Sequence, residues 1–250
     1  MGMLDFLFDK DKKQERQLQS LRKKLLNMWV QSPERNYTAE QLRDIGTPEA
    51  ITILCERFKL NTQNTTYDNE EKLFIYDLLV NLGESAIEPV KAVVLEEEQQ
   101  VNWPMKVLGD LLDRQEMADF LCQLLTAMTI DYTRDPEKKE QLILRASKFS
   151  DIEDIQKQVA RFLTDDNEGI RFHAANQAVT HDADWAHQAL QANLRFEDSG
   201  RILQVVCDRF VEKGDWTALE DLADEDARRD LQERLPNRYL LTEEGFLRLK

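Results

Sequence analysis

The sequence predicts an all-α protein in which short helix hairpins stack one on the next. Apolar residues recur at intervals of three and four along almost the whole chain, which is the helical period, and sustained strand alternation is missing. Glycine and proline are scarce, with 8 and 6 residues among 250, which argues against turn-rich β folds. The turns between helices return at nearly regular intervals, and this favours a repeat array over an irregular bundle.

Residues 1–37 are predicted to form a tail and a capping helix. The tail, residues 1–11, has an apolar start, and a helix rich in Lys, Arg and Gln follows within residues 12–37. We expect the apolar residues of this helix to face the first repeat and to cover its open end. They are Leu18, Leu21, Leu25, Leu26 and Trp29.

Residues 38–223 are predicted to form the repeat array. Pro48, Pro104 and Pro136 mark helix starts, because proline suits the first helical position. Six short turns divide the segment at spacings of 37, 30, 37, 31 and 33 residues, which corresponds to one helix hairpin per interval. The turns are centred on Gly46, Gly83, Asp113, Ser150, His181 and Gly214.

The last segment, residues 224–250, is predicted to close the other end of the array with capping helices. Residues 223–235 are strongly charged, and a final short helix is expected over residues 242–250, with Thr242 as its N-cap. Gly245 lies inside that final helix, where glycine lowers the helix propensity.

One segment carries a family signature. Residues 165–179 read Asp-Asp-Asn-Glu-Gly-Ile-Arg-Phe-His-Ala-Ala-Asn-Gln-Ala-Val. This run resembles the signature of bacterial-type HEAT-like repeats, in which a loop Asp precedes Val-Arg-x-x-Ala at the start of the second helix. Ile170 stands at the Val position, while Arg171 and Ala174 match. The resemblance implies a right-handed α-solenoid of about six HEAT-like helix hairpins with capping helices at both ends.

The resemblance also implies roles for particular residues. In HEAT-like proteins the loop Asp and the helix Arg tend to form ladders between neighbouring repeats, and the second helix of each repeat lines the concave face. The ladder residues are then Asp166, Arg171, Asp198 and Arg201. The concave-face candidates for binding are Lys72, Tyr76, Lys106, Asp110, Arg171, His173, Asn176, Gln177, Arg201, Gln204 and Asp208.

The net charge and the spacing of the histidines argue against nucleic-acid binding and against a zinc site. The chain has 33 Lys and Arg against 48 Asp and Glu, a formal charge of −15, and this argues against a nucleic-acid partner, which needs a basic footprint. His173, His181 and His187 are the only histidines, and no two of them have the i, i+4 spacing of a helical zinc site. We therefore expect no metal, no cofactor and no catalytic residues.

Two alternatives stay open beside a protein-binding adaptor. The first is an enzyme, because HEAT-like folds include alkylpurine DNA glycosylases and phycobilin lyases; Trp103, Trp185 and Trp216 could serve as glycosylase aromatics. The second is a membrane-peripheral scaffold that uses residues 1–24, since Leu4, Phe6, Leu7 and Phe8 precede seven Lys and Arg within residues 10–24.

The expected function is that of a non-enzymatic, cytoplasmic adaptor that binds a protein or peptide on its concave face. A polar groove between helices suits an extended peptide or another helix. The apolar runs are too short to span a membrane. Cys55, Cys122 and Cys207 are far apart in sequence and are predicted to be buried, reduced thiols.

Overall fold

The computed structural model of the chain describes the backbone of residues 3–62, 64–219, 221 and 223–250, and the side chains in these ranges from residue 12 onward. The apolar side chains of the predicted tail, residues 1–11, lie outside the described residues. In the described part the fold is all-helical, with thirteen α-helices and one small two-stranded sheet. None of the described helices is both long and apolar enough to cross a membrane.

The chain divides into two compact units, Met1–Met117 and Ala118–Lys250. The division falls within α7 (Arg114–Ala127). The helices of the first unit before α7 are α1 (Met3–Leu25), α2 (Ser32–Ile45), α3 (Pro48–Glu56), α4 (Thr65–Asn81), α5 (Glu84–Glu96) and α6 (Asn102–Leu111). Those of the second unit after α7 are α8 (Glu137–Ala146), α9 (Glu153–Ala160), α10 (Glu168–Ala178), α11 (Asp184–Leu194), α12 (Gly200–Lys213) and α13 (Glu225–Arg234).

Local sequence explains where the helices begin and end. Gly46 closes α2 with φ +64°, a left-handed conformation that favours glycine. The Thr47 hydroxyl then accepts a hydrogen bond from the Ala50 N–H, and Pro48 occupies the first position of α3. All six predicted turn centres lie outside the α-helices, between consecutive ones. The prediction of short connections is confirmed at five of them, whereas the connection at Gly214 extends to the start of α13 at Glu225.

The helices of the first unit lie in two layers. In one layer α2 packs on α4 and α4 packs on α6, while in the other α3 packs on α5. Between the layers lies an apolar core that includes Leu54, Leu79, Val90 and Leu108, all fully buried. Each helix therefore covers the apolar stripe of its near neighbours in the chain. This is expected in a repeat array, because a single helix hairpin cannot bury its own apolar face.

The second unit repeats this arrangement. Here α8 packs on α10 and α10 on α12, while α9 packs on α11. Its core includes Leu142, Phe162, Leu190 and Phe210, which are fully buried. Within each unit the contacts thus run mainly between successive helices and between alternate helices.

The N-terminal helix differs from its prediction at both ends. The segment Met3–Leu25 contains no glycine or proline, and α1 runs through all of it, including most of the predicted tail. The helix ends at Leu25, so Trp29 falls in the following turn and is out of helical phase with Leu18, Leu21 and Leu25. These three leucines are buried, whereas the exposed fraction of Trp29 is 96 %. The prediction that Trp29 faces inward was wrong.

The prediction of a C-terminal helix over residues 242–250 was also wrong. The segment forms an antiparallel hairpin of β1 (Tyr239–Leu241) and β2 (Leu247–Leu249), with Tyr239 opposite Leu249. Its apolar residues alternate, since Tyr239 and Leu241 are buried while Leu240 is exposed. Gly245 in the turn has φ +81°, which an α-helix does not allow. The charged segment predicted to begin the C-terminal cap does form a helix, α13.

Candidate functional site

An exposed group of side chains on α4 and α6 is the strongest candidate site in the first unit. It consists of Tyr76 on α4 and Trp103, Lys106 and Asp110 on α6, and we call these four residues the aromatic platform. The three α6 residues lie at helical intervals of three and four, so they share one face of the helix. Packing of α4 on α6 brings Tyr76 to the same face.

Ring and charge contacts hold the aromatic platform together. The Trp103 and Tyr76 rings meet edge to face with centroids 6.3 Å apart, and the Lys106 Nζ lies 4.5 Å from the Tyr76 centroid and 5.1 Å from that of Trp103. These are cation–π distances. Beneath the platform Trp103 stacks on the buried Phe58, with centroids 5.6 Å apart. The platform is therefore anchored to the core.

The chemistry of the aromatic platform suits recognition. The Tyr76 hydroxyl donates to the Asp110 carboxylate, and this hydrogen bond raises the pKa of Tyr76 to about 12, so the phenol stays protonated. Lys106 and Asp110 are exposed, while the two rings are half-buried. Tyr37 on α2 and Leu73 on α4 add exposed apolar surface to the same helix layer. Trp and Tyr are enriched at protein-binding surfaces.

Lys72, another predicted binding residue, belongs to a buried ion cluster. It is buried, and its Nζ lies 2.8 Å from the Asp68 Oδ2 and donates to the Asn61 Oδ1. Its ammonium group is thus used inside the protein. The carboxylates of Asp68 and Glu71, on the first turns of α4, both point into this cluster.

Glu71 is the central acceptor of the cluster. Arg57 donates to its Oε2 from Nε at 3.1 Å and from Nη2 at 2.8 Å, and Arg35 donates from Nε at 3.0 Å. Burial alone would raise the pKa of Glu71, but hydrogen bonds from Arg35, Ser32 and Arg57 outweigh it, and the pKa lies below its ordinary value. The pKa of Asp68 is likewise lowered by Lys72 and Arg57 against the opposing effect of burial.

Ion pairs between alternate helices recur in the second unit. Lys139 of α8 pairs with the buried Asp165 in the loop before α10, with Nζ and Oδ2 2.7 Å apart. Arg171 of α10 pairs with the buried Glu197 in the loop before α12, through bonds of 2.8 and 3.0 Å. In both cases the partners are 26 residues apart. We call these two pairs the ladder.

The ladder carboxylates also hold their own loops. The Asp165 Oδ1 accepts a hydrogen bond from the Asn167 N–H, and the Glu197 Oε1 accepts one from the Ser199 N–H. Burial opposes ionisation of Glu197, but Arg171, the Ser199 N–H and Asn193 together keep its pKa below the ordinary value. The ladder therefore ties each loop to the helix of the preceding hairpin.

Of the four predicted ladder residues, Arg171 belongs to the ladder, whereas Asp166, Asp198 and Arg201 do not. Arg171 bonds to the backbone carbonyls of Asp165 and Asp166, and its Nη2 lies 3.8 Å from the Asp198 carboxylate. The buried carboxylates are Asp165 and Glu197, each one residue before the predicted Asp166 and Asp198. Arg201 pairs in the opposite direction, with Glu168 of α10, at the surface.

Acid is expected to destabilise both units through these carboxylates. The folded-state pKa values of Asp68, Glu71 and Glu197 lie below their ordinary values, so below about pH 4.5 the unfolded chain binds more protons than the folded one. The free energy of unfolding should fall progressively as the pH drops from about 5 through the folded pKa values of these carboxylates. Urea denaturation at several pH values measures this; an unfolding free energy unchanged down to about pH 3 would contradict it.

The other predicted binding residues on α10 and α12 are spread over the helix surfaces. The Arg201 guanidinium lies 4.3 Å from the Phe172 ring centroid, and the His173 Nε2 lies 3.2 Å from the Glu140 Oε1. The Asn176 amide donates to the Phe172 carbonyl of its own helix, and that of Gln177 donates to the Ile143 carbonyl of α8. These contacts stabilise α8, α10 and α12, and His173 and Arg201 remain partly exposed.

Gln204 and Asp208 lie next to the C-terminal hairpin. The Tyr239 hydroxyl lies 2.7 Å from the Asp208 Oδ1 and 3.2 Å from the Gln204 carbonyl oxygen. Arg238 also pairs with Asp208. Asp208 thus fixes the hairpin to α12, while the Gln204 side chain is exposed.

The histidines and cysteines occupy separate environments. His181 lies against Trp185, and His187 stacks on Trp216 with ring centroids 4.8 Å apart. Among the described residues, no three His, Cys, Asp or Glu side chains come together as metal ligands. Burial raises the pKa of Cys55 and of Cys207 to about 12, so these thiols are protonated; Cys122 is only half-buried.

Sequence reasoning missed the residues that build the buried clusters, namely Arg35, Arg57, Lys139, Asp165 and Glu197. One signal was present: a cation and an acid recur 26 residues apart, each acid followed two residues later by Asn or Ser. Comparisons of the chain with protein-family models, with curated proteins and with solved structures found no match.

Proposed function

We propose that this protein is a non-enzymatic adaptor of the HEAT-like type, a right-handed α-solenoid of about six helix hairpins that binds a peptide or helix on its concave face. The layering within each unit supports this architecture. In the first unit α2, α4 and α6 follow one another, and in the second α8, α10 and α12 do. Stacking of alternate helices is the contact pattern of a repeat array.

The ladder supports the same proposal. Two pairs with the same 26-residue separation link α8 to the loop before α10 and α10 to the loop before α12. A contact that recurs at a constant interval in successive hairpins is what repetition of one structural unit produces. In HEAT-like proteins, ladders of this kind join neighbouring repeats.

The aromatic platform is the observation on which the binding function rests. It lies on α4 and α6, which belong to the layer proposed to be concave, and it presents two rings, a cation and a carboxylate within one contact network. Amphipathic rings held in place by the core lose little conformational freedom on binding, and such residues dominate protein-binding energetics. The formal charge of −15 favours a basic amphipathic peptide or helix as the ligand. We place the protein in the cytoplasm.

Replacing Tyr76 and Lys106 together by alanine is expected to weaken ligand binding at least tenfold while leaving the fold intact. Trp103 is kept because it stacks on Phe58. A helical-peptide library is selected against the purified protein, and the dissociation constant of an enriched peptide is measured by fluorescence anisotropy. The matched control is Leu95→Ala, which removes an exposed side chain on α5 of the other layer. No enriched peptide, or equal binding by both variants, would contradict the proposal.

A further inference from the structure

We propose that the outer face of α1, together with Trp29, binds the surface of an anionic lipid bilayer. We define the basic face as five exposed cations of α1. They are Lys12, Lys13, Arg16, Lys23 and Lys24. This surface is separate from the aromatic platform, and the inference does not depend on the proposed adaptor function.

The basic face runs along one side of α1. At about 100° per residue the five cations fall within an arc of about 120°, and they extend over about 18 Å of helix. The buried leucines Leu18, Leu21 and Leu25 lie on the opposite side, where α1 packs on α2 and α3. Glu15 falls outside the arc. Because α1 is docked through its leucines, its cations must point away from the protein.

The cations of the basic face are not used in the fold. Arg22, which lies outside this arc, pairs with Glu56, but none of the five cations has an ion-pair partner in the part of the chain that the structure describes. This local excess of positive charge contrasts with the formal charge of the whole chain, which is −15. Without a partner among the described side chains, these five cations leave their charge available to an external anionic surface.

Trp29 supplies an apolar anchor beside these charges. It lies four residues beyond the end of α1, with an exposed fraction of 96 %. Its turn is held in place: the Trp29 N–H donates to the Asn27 Oδ1, and the buried Arg35 donates to the carbonyls of Asn27 and Val30. The ring is therefore presented to solvent on a fixed turn. Trp is the residue most typical of membrane–water interfaces.

A bilayer fits these observations better than a nucleic acid. A planar surface requires only an exposed basic helix face and an exposed aromatic ring, and both are present, whereas a nucleic-acid duplex is normally bound by a basic footprint that spans several elements. Acidic groups elsewhere in the chain are screened once they lie more than about 8 Å from the surface at physiological salt. Basic residues combined with an interfacial aromatic residue supply the two signals that peripheral membrane binding requires.

The test is co-sedimentation of the full-length protein with vesicles of phosphatidylcholine containing one-third phosphatidylserine. We expect binding to these vesicles, weak or no binding to pure phosphatidylcholine, and release by high salt. Neutralising four lysines of the basic face with glutamine should reduce the partition coefficient on the order of 1,000-fold, at about 1 kcal/mol for each lysine. The variant is Lys12→Gln/Lys13→Gln/Lys23→Gln/Lys24→Gln. The control neutralises four exposed bases elsewhere and should bind as the wild type does; it is Lys148→Gln/Lys157→Gln/Arg229→Gln/Lys250→Gln.

Trp29 provides an independent measurement. Brominated lipid should quench tryptophan emission of the wild-type protein, and Trp29→Phe should remove most of that quenching, because the three remaining tryptophans lie outside the proposed contact. Circular dichroism verifies that each variant is folded. Equal sedimentation of the two charge variants, quenching that persists in Trp29→Phe, or tighter binding to duplex DNA than to the anionic vesicles would each overturn the inference.

Discussion

Replacing Glu71 by alanine is expected to lower the free energy of unfolding by about 3–5 kcal/mol. The Glu71 side chain is 3 % exposed, and it neutralises Arg35 and Arg57, whose side chains are 7 % and 1 % exposed. Removal of the carboxylate leaves the buried Arg35 without its acidic partner and leaves Arg57 with Asp68 alone. Arginine cannot escape this cost by losing its proton at neutral pH. Urea denaturation monitored by circular dichroism measures the loss.

Two further variants make this prediction specific. Glu88→Gln removes the charge of an exposed α5 carboxylate whose partner is Lys91, and it should change the unfolding free energy by less than about 1 kcal/mol. The triple variant Arg35→Met/Arg57→Leu/Glu71→Leu removes the two guanidinium groups as well and should be more stable than Glu71→Ala. If the triple variant were the less stable of the two, the cost would not arise from uncompensated charge.

The second large effect is expected for Arg171→Met in the other unit, with a loss of about 3 kcal/mol. The Glu197 carboxylate is fully buried, and the Arg171 side chain that neutralises it is 15 % exposed. Methionine replaces much of the volume of arginine but none of its charge or donors, so Glu197 would lose its bidentate partner. The pKa of Glu197, now below its ordinary value because of Arg171, should rise in the variant.

Arg201→Met is the matched control for this change. Arg201 pairs with Glu168 across the same pair of helices, but their side chains are 51 % and 42 % exposed. Exposed ion pairs contribute about 0–1 kcal/mol. Both arginines were predicted as ladder residues, and they differ strongly in burial. Equal destabilisation by Arg171→Met and Arg201→Met, measured by urea denaturation, would show that the buried ladder has no special role in stability.

Much of the local structure could be predicted from residue types alone. Helical periodicity, the scarcity of glycine and proline, and caps such as Thr47-Pro48 act over a few residues, and they predicted the all-α class and the six turns. The same reasoning failed at the C-terminal hairpin, where Tyr239 and Leu241 become buried against α12 and α13 only after folding. Gly245 was noted as unfavourable for a helix, and it proved to be the turn residue.

The candidate site was foreseen in part. Tyr76, Lys106 and Asp110 were proposed for one surface because they recur on second helices of hairpins, and they do meet through the packing of α4 on α6. Lys72, chosen by the same rule, is buried beside Asp68. Helical period predicts which residues share a face, but not how closely the next helix covers that face.

By itself the sequence determined the class of fold, the positions of most helix ends and the strongly acidic charge, because these depend on neighbours in the chain and on composition. The tertiary structure decided which charges are buried, which carboxylate each arginine reaches and that Trp29 is exposed. These depend on contacts between residues that are far apart in sequence, such as Arg35 and Glu71, 36 residues apart. Desolvation and hydrogen bonding at such contacts are set by the packing of whole helices.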